Sequence, residues 1–205
     1  MLDPAPRYTH TLQTDYNGVR FRSRLEARWA LFMDQLPVEW RYEAEGFALP
    51  SGAFVPDFYL PRLEMWVEIK PNRRFATERD LRLCEELAQA QRQRVVLFAG
   101  VPGFWCAHDF RAFDDVPGDG MARAFVPFAL PDGTAGVGED EPYTFCYCVD
   151  CQEYGIEFDG RSARIKHGAD CDVPASKADK NYTGSHSRIV LAAETANARR
   201  FWDPR

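Results

Sequence analysis

The sequence lacks the features of a protein that is exported through a membrane or built into one. No charged-then-apolar leader opens the chain, and no uninterrupted apolar run approaches the roughly 20 residues that span a bilayer. The composition, 45% hydrophobic and 14% aromatic, is that of a globular chain. We therefore expect a cytoplasmic protein whose 205 residues form one core and a small accessory module.

The sequence also lacks an excess of positive charge. Its net charge of −6 at pH 7 by itself argues against a nucleic-acid partner. The acid is concentrated in residues 101–160, which carry 12 Asp and Glu against 2 Lys and Arg, whereas residues 1–100 carry 14 of each. The basic residues of that first part are mostly arginines. They leave open either a local basic surface for phosphates or a solvated surface of mixed charge.

The six cysteines are spread too unevenly for a disulfide scaffold and cluster toward the C-terminal end. A Cys-x2-Cys pair followed by His-x3-Cys has the spacing of a tetrahedral zinc site. We expect one structural Zn²⁺ in a zinc-ribbon-like module over residues 143–205. Cys146 is the alternative to the histidine as fourth ligand. The expected ligands are Cys148, Cys151, His167 and Cys171.

The stretch VPDFYLPRLEMWVEIK at 55–70 consists of two alternating apolar runs joined by Pro-Arg-Leu-Glu. Residues two apart in a strand share a face, so Glu68 and Lys70 point the same way, and a hairpin brings Asp57 beside them. Two carboxylates and an ammonium gathered in this way are costly unless they bind something. A hard cation such as Mg²⁺, held by the carboxylates and the Ile69 carbonyl, fits this set and suits metal-assisted hydrolysis.

Apolar periodicity predicts the order of the elements around this stretch. In sequence they are a helix over 22–36, strands over 38–49, 53–60 and 65–70, a helix after a capping box at Thr77 and Asp80, and a strand over 94–99. Ser23 is the expected N-cap of the first helix. Glu26 lies at the edge of that helix's apolar stripe, where its carboxylate can lean over the sheet or serve only the helix dipole.

This order resembles the PD-(D/E)xK fold of restriction-type endonucleases, and the segments RSRLEARWA, WRYE, PDFYL and WVEIK carry the resemblance. The chain is similar to small nucleases of phages and mobile elements, and more distantly to the endonuclease subunit of two-part transposases. The similarity covers roughly residues 16–100. It implies an α/β fold with a restriction-endonuclease-like αβββαβ core and a mixed central sheet.

The resemblance also implies the roles of the site residues. Asp57 and Glu68 would bind Mg²⁺ or Mn²⁺, Lys70 would orient or help to activate the attacking water, and Glu26 would support the metal directly or through water. The implied activity is that of a metal-dependent DNA endonuclease. The DNA-binding arginines expected to flank the site are Arg22, Arg24, Arg73 and Arg74.

A second function class stays open at this point. The chain can instead be a nucleic-acid-binding or transposase and recombination assembly subunit that uses the nuclease fold for docking. Under either interpretation we expect DNA as the partner and no association with a membrane. A homodimer and a larger recombination or defence complex both stay open. The expected setting is the cytoplasm of a bacterium or of a phage-infected host cell.

Turn signals divide the chain into an expected nuclease domain (1–130), an acidic Gly/Pro linker (131–142) and the zinc-ribbon-like module. Pro127 marks residues 122–130 as an edge strand, because proline cannot donate a ladder hydrogen bond. Asp159-Gly160 predicts a hairpin turn within the module. A terminal helix is expected from Ser187 onward.

Overall fold

The computed structural model describes residues 12–103, 121–140, 143–148, 152–158, 182–183 and 186–201. The helices in these ranges are α1 (Arg24–Gln35), α2 (Glu78–Gln91) and α3 (Ser187–Ala198). The strands are β1 (Thr14–Tyr16), β2 (Val19–Phe21), β3 (Arg41–Tyr42), β4 (Phe47–Leu49), β5 (Gly52–Phe54), β6 (Phe58–Leu60), β7 (Met65–Lys70), β8 (Arg94–Ala99), β9 (Met121–Ala129), β10 (Ala135–Asp140), β11 (Tyr143–Cys148), β12 (Tyr154–Phe158) and β13 (Tyr182–Thr183). None of these helices is long and apolar enough to cross a lipid bilayer.

The central sheet has six strands in the order β10-β9-β8-β7-β6-β3. Strands β7 and β8 are parallel, and the other neighbouring pairs are antiparallel. A parallel pair needs a crossover connection, which α2 provides here. Helix α1 packs on one face of the sheet and α2 on the other, so β7 and β8 are buried on both sides. The predicted mixed α/β architecture with a mixed central sheet is confirmed.

A capping hydrogen bond secures the start of helix α1, and the contacts of Trp29 hold its middle against the sheet. Its predicted N-cap is confirmed, since the Ser23 hydroxyl accepts a hydrogen bond from the Glu26 N–H. The buried Trp29 ring stacks on Phe98 of β8 at a centroid distance of 4.7 Å, and its Nε1 donates to the Gly100 carbonyl at 3.0 Å. These contacts hold the first turn of α1 over the end of β7 and β8, where the expected site residues lie.

The strands predicted over 38–49 and 53–60 are each interrupted, so their predicted extent is wrong. Strands β4 and β5 pair only with each other and form a separate two-stranded hairpin, while β3 and β6 belong to the central sheet. Glu43 breaks the first run because it adopts a left-handed conformation (φ 44°) and donates its N–H to the Asp57 carbonyl at 2.9 Å. Pro56, between β5 and β6, has no N–H for a ladder and interrupts the second.

Two predictions about residues 122–142 are wrong. Strand β9 is not an edge strand, because it pairs with β8 on one side and with β10 on the other, with Pro127 opposite Val137. Residues 135–140 are strand β10 rather than a linker. The Pro-Asp-Gly signal at 131–133 is a hairpin turn, in which the Asp132 carboxylate accepts from the N–H and hydroxyl of Thr134.

The described part of residues 143–205 shares its core with α1 instead of forming a core of its own. Phe145 of β11 packs edge-on against Phe32 of α1 at 4.9 Å, and both belong to the same buried cluster as Ile189 of α3. The predicted terminal helix is confirmed as α3, whose buried face includes Ile189, Ala192, Ala193 and Ala196. The predicted turn at Asp159-Gly160 lies outside the described residues.

Candidate active site

The hairpin of β6 and β7 sets Asp57 beside Glu68. Phe58 and Val67 are the last ladder pair at this end of the hairpin, so Asp57 and Glu68 are the next residues outward on their two chains, and both line the same cavity. The 3-10 turn Pro61–Leu63 and Glu64 in a left-handed conformation (φ 49°) fix this register. The structure thereby brings together Asp57 and Glu68, as the sequence predicts.

These carboxylates open into a cavity of about 650 Å³ at the carboxyl end of β7. Lys70 and Ile69 line it from the sheet, and Glu26 and Arg24 line it from the first turn of α1. The cavity thus gathers all four expected catalytic residues from α1, β7 and the residue before β6.

Asp57 is buried, with 3% of its surface exposed, and both its oxygens are hydrogen-bonded. Oδ2 accepts from the Ile69 N–H at 2.7 Å, and Oδ1 accepts from Arg22 Nη2 at 2.8 Å. Arg22 is also paired through Nε with Glu43 at 2.7 Å. Burial raises the pKa of Asp57 well above its usual range, and the negative charges of Glu68 and Glu26 raise it further.

Glu68 is equally buried but has one oxygen without a partner. Oε1 accepts from Lys70 Nζ at 2.9 Å, whereas Oε2 is fully buried and has no hydrogen bond among the described residues. Burial raises the pKa of Glu68, and the positive charge of Lys70 opposes this only in part. A buried carboxylate oxygen without a donor is costly, and a cation or another hydrogen-bond donor beside it would stabilise it.

Lys70 lies between two carboxylates, Glu68 at 2.9 Å and Asp80 of α2 at 2.8 Å. Burial alone would lower its pKa, but the charges and hydrogen bonds of Glu68 and Asp80 outweigh burial and raise the pKa overall. Lys70 is therefore a protonated ammonium at neutral pH, with a fifth of its side chain exposed to the cavity.

Both oxygens of Glu26 accept hydrogen bonds at or near the start of its own helix. Oε1 accepts from the Ser23 hydroxyl at 2.6 Å, and Oε2 accepts from the Tyr42 hydroxyl at 2.6 Å and from the Arg22 N–H at 3.1 Å. Ser23 and Glu26 thus hydrogen-bond each other at the helix start, but the Glu26 carboxylate accepts from the Arg22 N–H rather than from the Ser23 N–H that a capping box would use. Glu26 thus combines a helix-start role with a negative charge on the wall of the cavity.

The arginines expected to bind DNA fall into two places. Arg22 and Arg24 line the cavity, and Arg22 is half-exposed although it is paired with Asp57. Arg73 and Arg74 lie in the 3-10 turn Arg73–Phe75 that follows β7, where both are exposed and neither lines the cavity. The basic residues therefore extend from the cavity onto the adjoining surface.

The residue set suits a hard divalent cation. Two neighbouring buried carboxylates, one of them with an unpartnered oxygen, supply the kind of oxygen ligand that Mg²⁺ takes. Among the described residues, no three Asp, Glu, His or Cys side chains converge closely enough to hold a metal by themselves. The Ile69 carbonyl and water would therefore complete the coordination, which agrees with the tendency of Mg²⁺ to keep several waters.

Three contacts among the residues around the cavity are not predicted by the sequence. They are the Asp80 contact to Lys70, the Tyr42 contact to Glu26 and the Glu43 contact to Arg22. Asp80 was predicted only as the capping partner of Thr77. The other two residues lie in the segment predicted as one long strand, and the sequence there gives no signal for these contacts.

Cys148 is the one expected zinc ligand that the structure describes; Cys151, His167 and Cys171 lie outside the described residues. Cys148 and Cys146 are both buried in β11. Strand alternation places both on the face opposite Phe145, which packs toward α1. Cys146 therefore keeps its standing as the alternative fourth ligand.

Comparison with protein-family models, with curated proteins and with solved structures found no match to this chain.

Glu68→Gln is expected to raise the Tm of the metal-free protein. The neutral amide removes a buried carboxylate charge and can donate a hydrogen bond. In a chain of this size, the Tm rises by about 2–4 °C for each kcal/mol added to the free energy of unfolding. The same substitution should abolish the rise in Tm that we expect Mg²⁺ to produce in the wild type. Thermal denaturation in EDTA and in Mg²⁺ measures both effects. Glu85→Gln, on the exposed face of α2, is the matched control and should change neither.

Proposed function

We propose that this protein is a Mg²⁺-dependent DNA endonuclease with a restriction-endonuclease-like core. The observation that carries the proposal is the juxtaposition of Asp57, Glu68 and Lys70 on one face of the β6–β7 hairpin, in a cavity where Glu68 keeps an unpartnered buried oxygen. The resemblance of α1, the hairpin, α2 and β8 to the PD-(D/E)xK element order supports it. A chain that only docked onto DNA would not need this costly set of charges.

Each residue of the cavity has its own role in the proposed reaction. Asp57, Glu68 and the Ile69 carbonyl would hold Mg²⁺ or Mn²⁺, which when bound lowers the pKa of its water and stabilises charge on the phosphate. Lys70, as a protonated ammonium, stabilises the negative charge that develops on the attacking oxygen and on the phosphate. Glu26 secures the start of α1 and adds negative charge to the cavity wall.

The proposal is tested by incubating the purified protein with supercoiled, linear, branched and single-stranded DNA and with RNA. Each substrate is presented in EDTA, Mg²⁺ and Mn²⁺. We expect phosphodiester cleavage of at least one DNA form in Mg²⁺ or Mn²⁺ and none in EDTA. Binding without cleavage of every substrate would favour the assembly-subunit function instead.

Affinity for DNA is expected to fall steeply with salt despite the negative net charge, because each arginine that neutralises a phosphate releases counterions. Arg73→Ala with Arg74→Ala should lower the slope of log K against log salt by about 2, one for each contact. Fluorescence anisotropy over a salt series in EDTA measures the slope. Arg92→Ala is the control, since its Nη2 is bonded to the Gly133 carbonyl at the turn between β9 and β10. An affinity that does not depend on salt would rule out phosphate binding.

We also propose one structural Zn²⁺ per chain, bound by Cys148, Cys151, His167 and Cys171. The Cys-x2-Cys and His-x3-Cys spacing and the burial of Cys148 support it. Elemental analysis of protein purified without chelator should find one zinc per chain, and finding none would refute the proposal. Loss of zinc in Cys146→Ser but not in His167→Ala would replace only the fourth ligand.

A further inference from the structure

The start of α2 carries a capping box whose carboxylate also reaches the cavity. Asp80 Oδ2 accepts from the Thr77 N–H at 2.9 Å and from the Thr77 hydroxyl at 2.6 Å, while the Asp80 N–H donates back to that hydroxyl at 3.2 Å. Its other oxygen, Oδ1, accepts from Lys70 Nζ at 2.8 Å. One oxygen of Asp80 thus takes part in the cap of α2, and the other accepts a hydrogen bond from Lys70.

Asp80 is well suited to hold a flexible side chain because α2 is itself firmly packed. Leu83, Cys84, Leu87 and Ala88 of α2 are buried against the sheet, in the cluster that contains Trp66 of β7. The capping box then fixes the carboxylate relative to that helix. Lys70, by contrast, extends a long side chain from the last residue of β7 and loses much rotamer freedom when it is held.

The second partner of Lys70 is Glu68, which under the proposed function must also serve as a metal ligand. Its Oε1 takes the Lys70 hydrogen bond and its Oε2 has no partner in the described residues. A carboxylate that must bind a metal ion as well as the Lys70 ammonium cannot by itself hold the ammonium in one position. Oδ1 of Asp80 is not among the proposed metal ligands, so it can keep its hydrogen bond to Lys70 when the Glu68 carboxylate binds the metal ion.

We propose that Asp80 is a positioning residue, which holds the Lys70 ammonium at the cavity wall from the first turn of α2. This inference rests on the proposed nuclease function, because it assigns Asp80 a part in the action of Lys70. The backbone of Lys70 is held as well, because its carbonyl accepts a hydrogen bond from the Gly100 N–H at 2.8 Å.

The kinetic test compares three substitutions at the start of α2. Asp80→Asn keeps an oxygen for the capping box but removes the charge that attracts the ammonium, so kcat should fall about tenfold, with KM for DNA and Kd for Mg²⁺ within about twofold. Thr77→Ala breaks the same capping box and should lower the Tm without this loss of kcat. Glu78→Gln neutralises an exposed carboxylate in the same turn and should change neither.

A second readout needs neither metal nor cleavage. In ¹⁵N-labelled protein in EDTA, the Lys70 ammonium should give a slowly exchanging NMR signal, because two carboxylates hold it. The signal should persist in Thr77→Ala and broaden or vanish in Asp80→Asn. Its absence from the folded wild type would overturn the inference even if Asp80→Asn failed to fold.

The outcomes separate this inference from the proposed function. If the wild type cleaves no substrate, the nuclease proposal fails, and the kinetic comparison with it. If the wild type cleaves DNA and Asp80→Asn matches its kcat, only the positioning role is refuted. A loss of kcat that is equal in Thr77→Ala and Asp80→Asn would also refute it, since the effect would then come from the helix start.

Discussion

Asp57→Ala and Glu68→Ala are each expected to lower DNA cleavage by at least about 10³-fold, which corresponds to about 4 kcal/mol of lost transition-state stabilisation. Each substitution removes one of the two buried carboxylates that line the cavity at the end of the β6–β7 hairpin. Binding of DNA in EDTA should survive, because the carboxylates repel phosphates rather than attract them. Single-turnover cleavage and fluorescence anisotropy measure the two properties separately.

The control for this pair is Asp15→Ala, which removes an exposed carboxylate that is ion-paired with Arg20 away from the cavity. It should cleave as the wild type does. The metal-dependent rise in Tm provides a check that does not depend on cleavage: it should be lost in Asp57→Ala and retained in Asp15→Ala. If Asp57→Ala cuts as fast as the wild type in preparations free of contaminating nuclease, the active site described above is wrong.

Lys70→Ala is expected to lower the cleavage rate by about 10²-fold while leaving metal binding largely intact. The ammonium contributes a charge near the developing negative charge, whereas the carboxylates of Asp57 and Glu68 stay in place. The effect should appear in kcat rather than in KM for DNA, because the interaction strengthens in the transition state. Pre-steady-state kinetics with Mg²⁺ titration distinguishes the two.

Arg62→Ala is the matched control for the lysine, since it removes a cation that is paired with Glu153 at 2.8 Å outside the cavity. Its kcat should equal that of the wild type. A Lys70→Ala protein with unchanged kcat but weakened Mg²⁺ binding would mean that the lysine acts through the Glu68 carboxylate rather than on the reaction itself.

The local part of the site could be predicted because its determinants are local. Alternation in β7 decides that Glu68 and Lys70 share a face, and the short turn between β6 and β7 decides that Asp57 stands opposite Glu68. The Ser23 and Thr77 hydroxyls cap their helices by accepting from the backbone N–H three residues further on, and a sequence pattern contains this spacing in full.

The parts that could not be predicted depend on contacts between distant segments. Strand β10 is rich in glycine and acid and has the composition of a linker, yet Gly136 lies under the Phe128 ring, where a Cβ would stand 2.5 Å from the ring. The glycine there makes room for a cross-strand aromatic ring. The ion pair of Lys70 and Asp80 likewise depends on where α2 packs, which no spacing in the sequence gives.

The claim that this cavity hydrolyses DNA with a divalent metal is tested most directly by plasmid cleavage. Purified wild type and Asp57→Ala are incubated with supercoiled DNA in EDTA, Mg²⁺, Mn²⁺ and Ca²⁺, and nicked and linear products are measured over time. We expect cleavage by the wild type in Mg²⁺ or Mn²⁺, no cleavage in EDTA or Ca²⁺, and no cleavage by Asp57→Ala under any condition. Cleavage by the wild type in EDTA, or equal cleavage by both proteins, would contradict it.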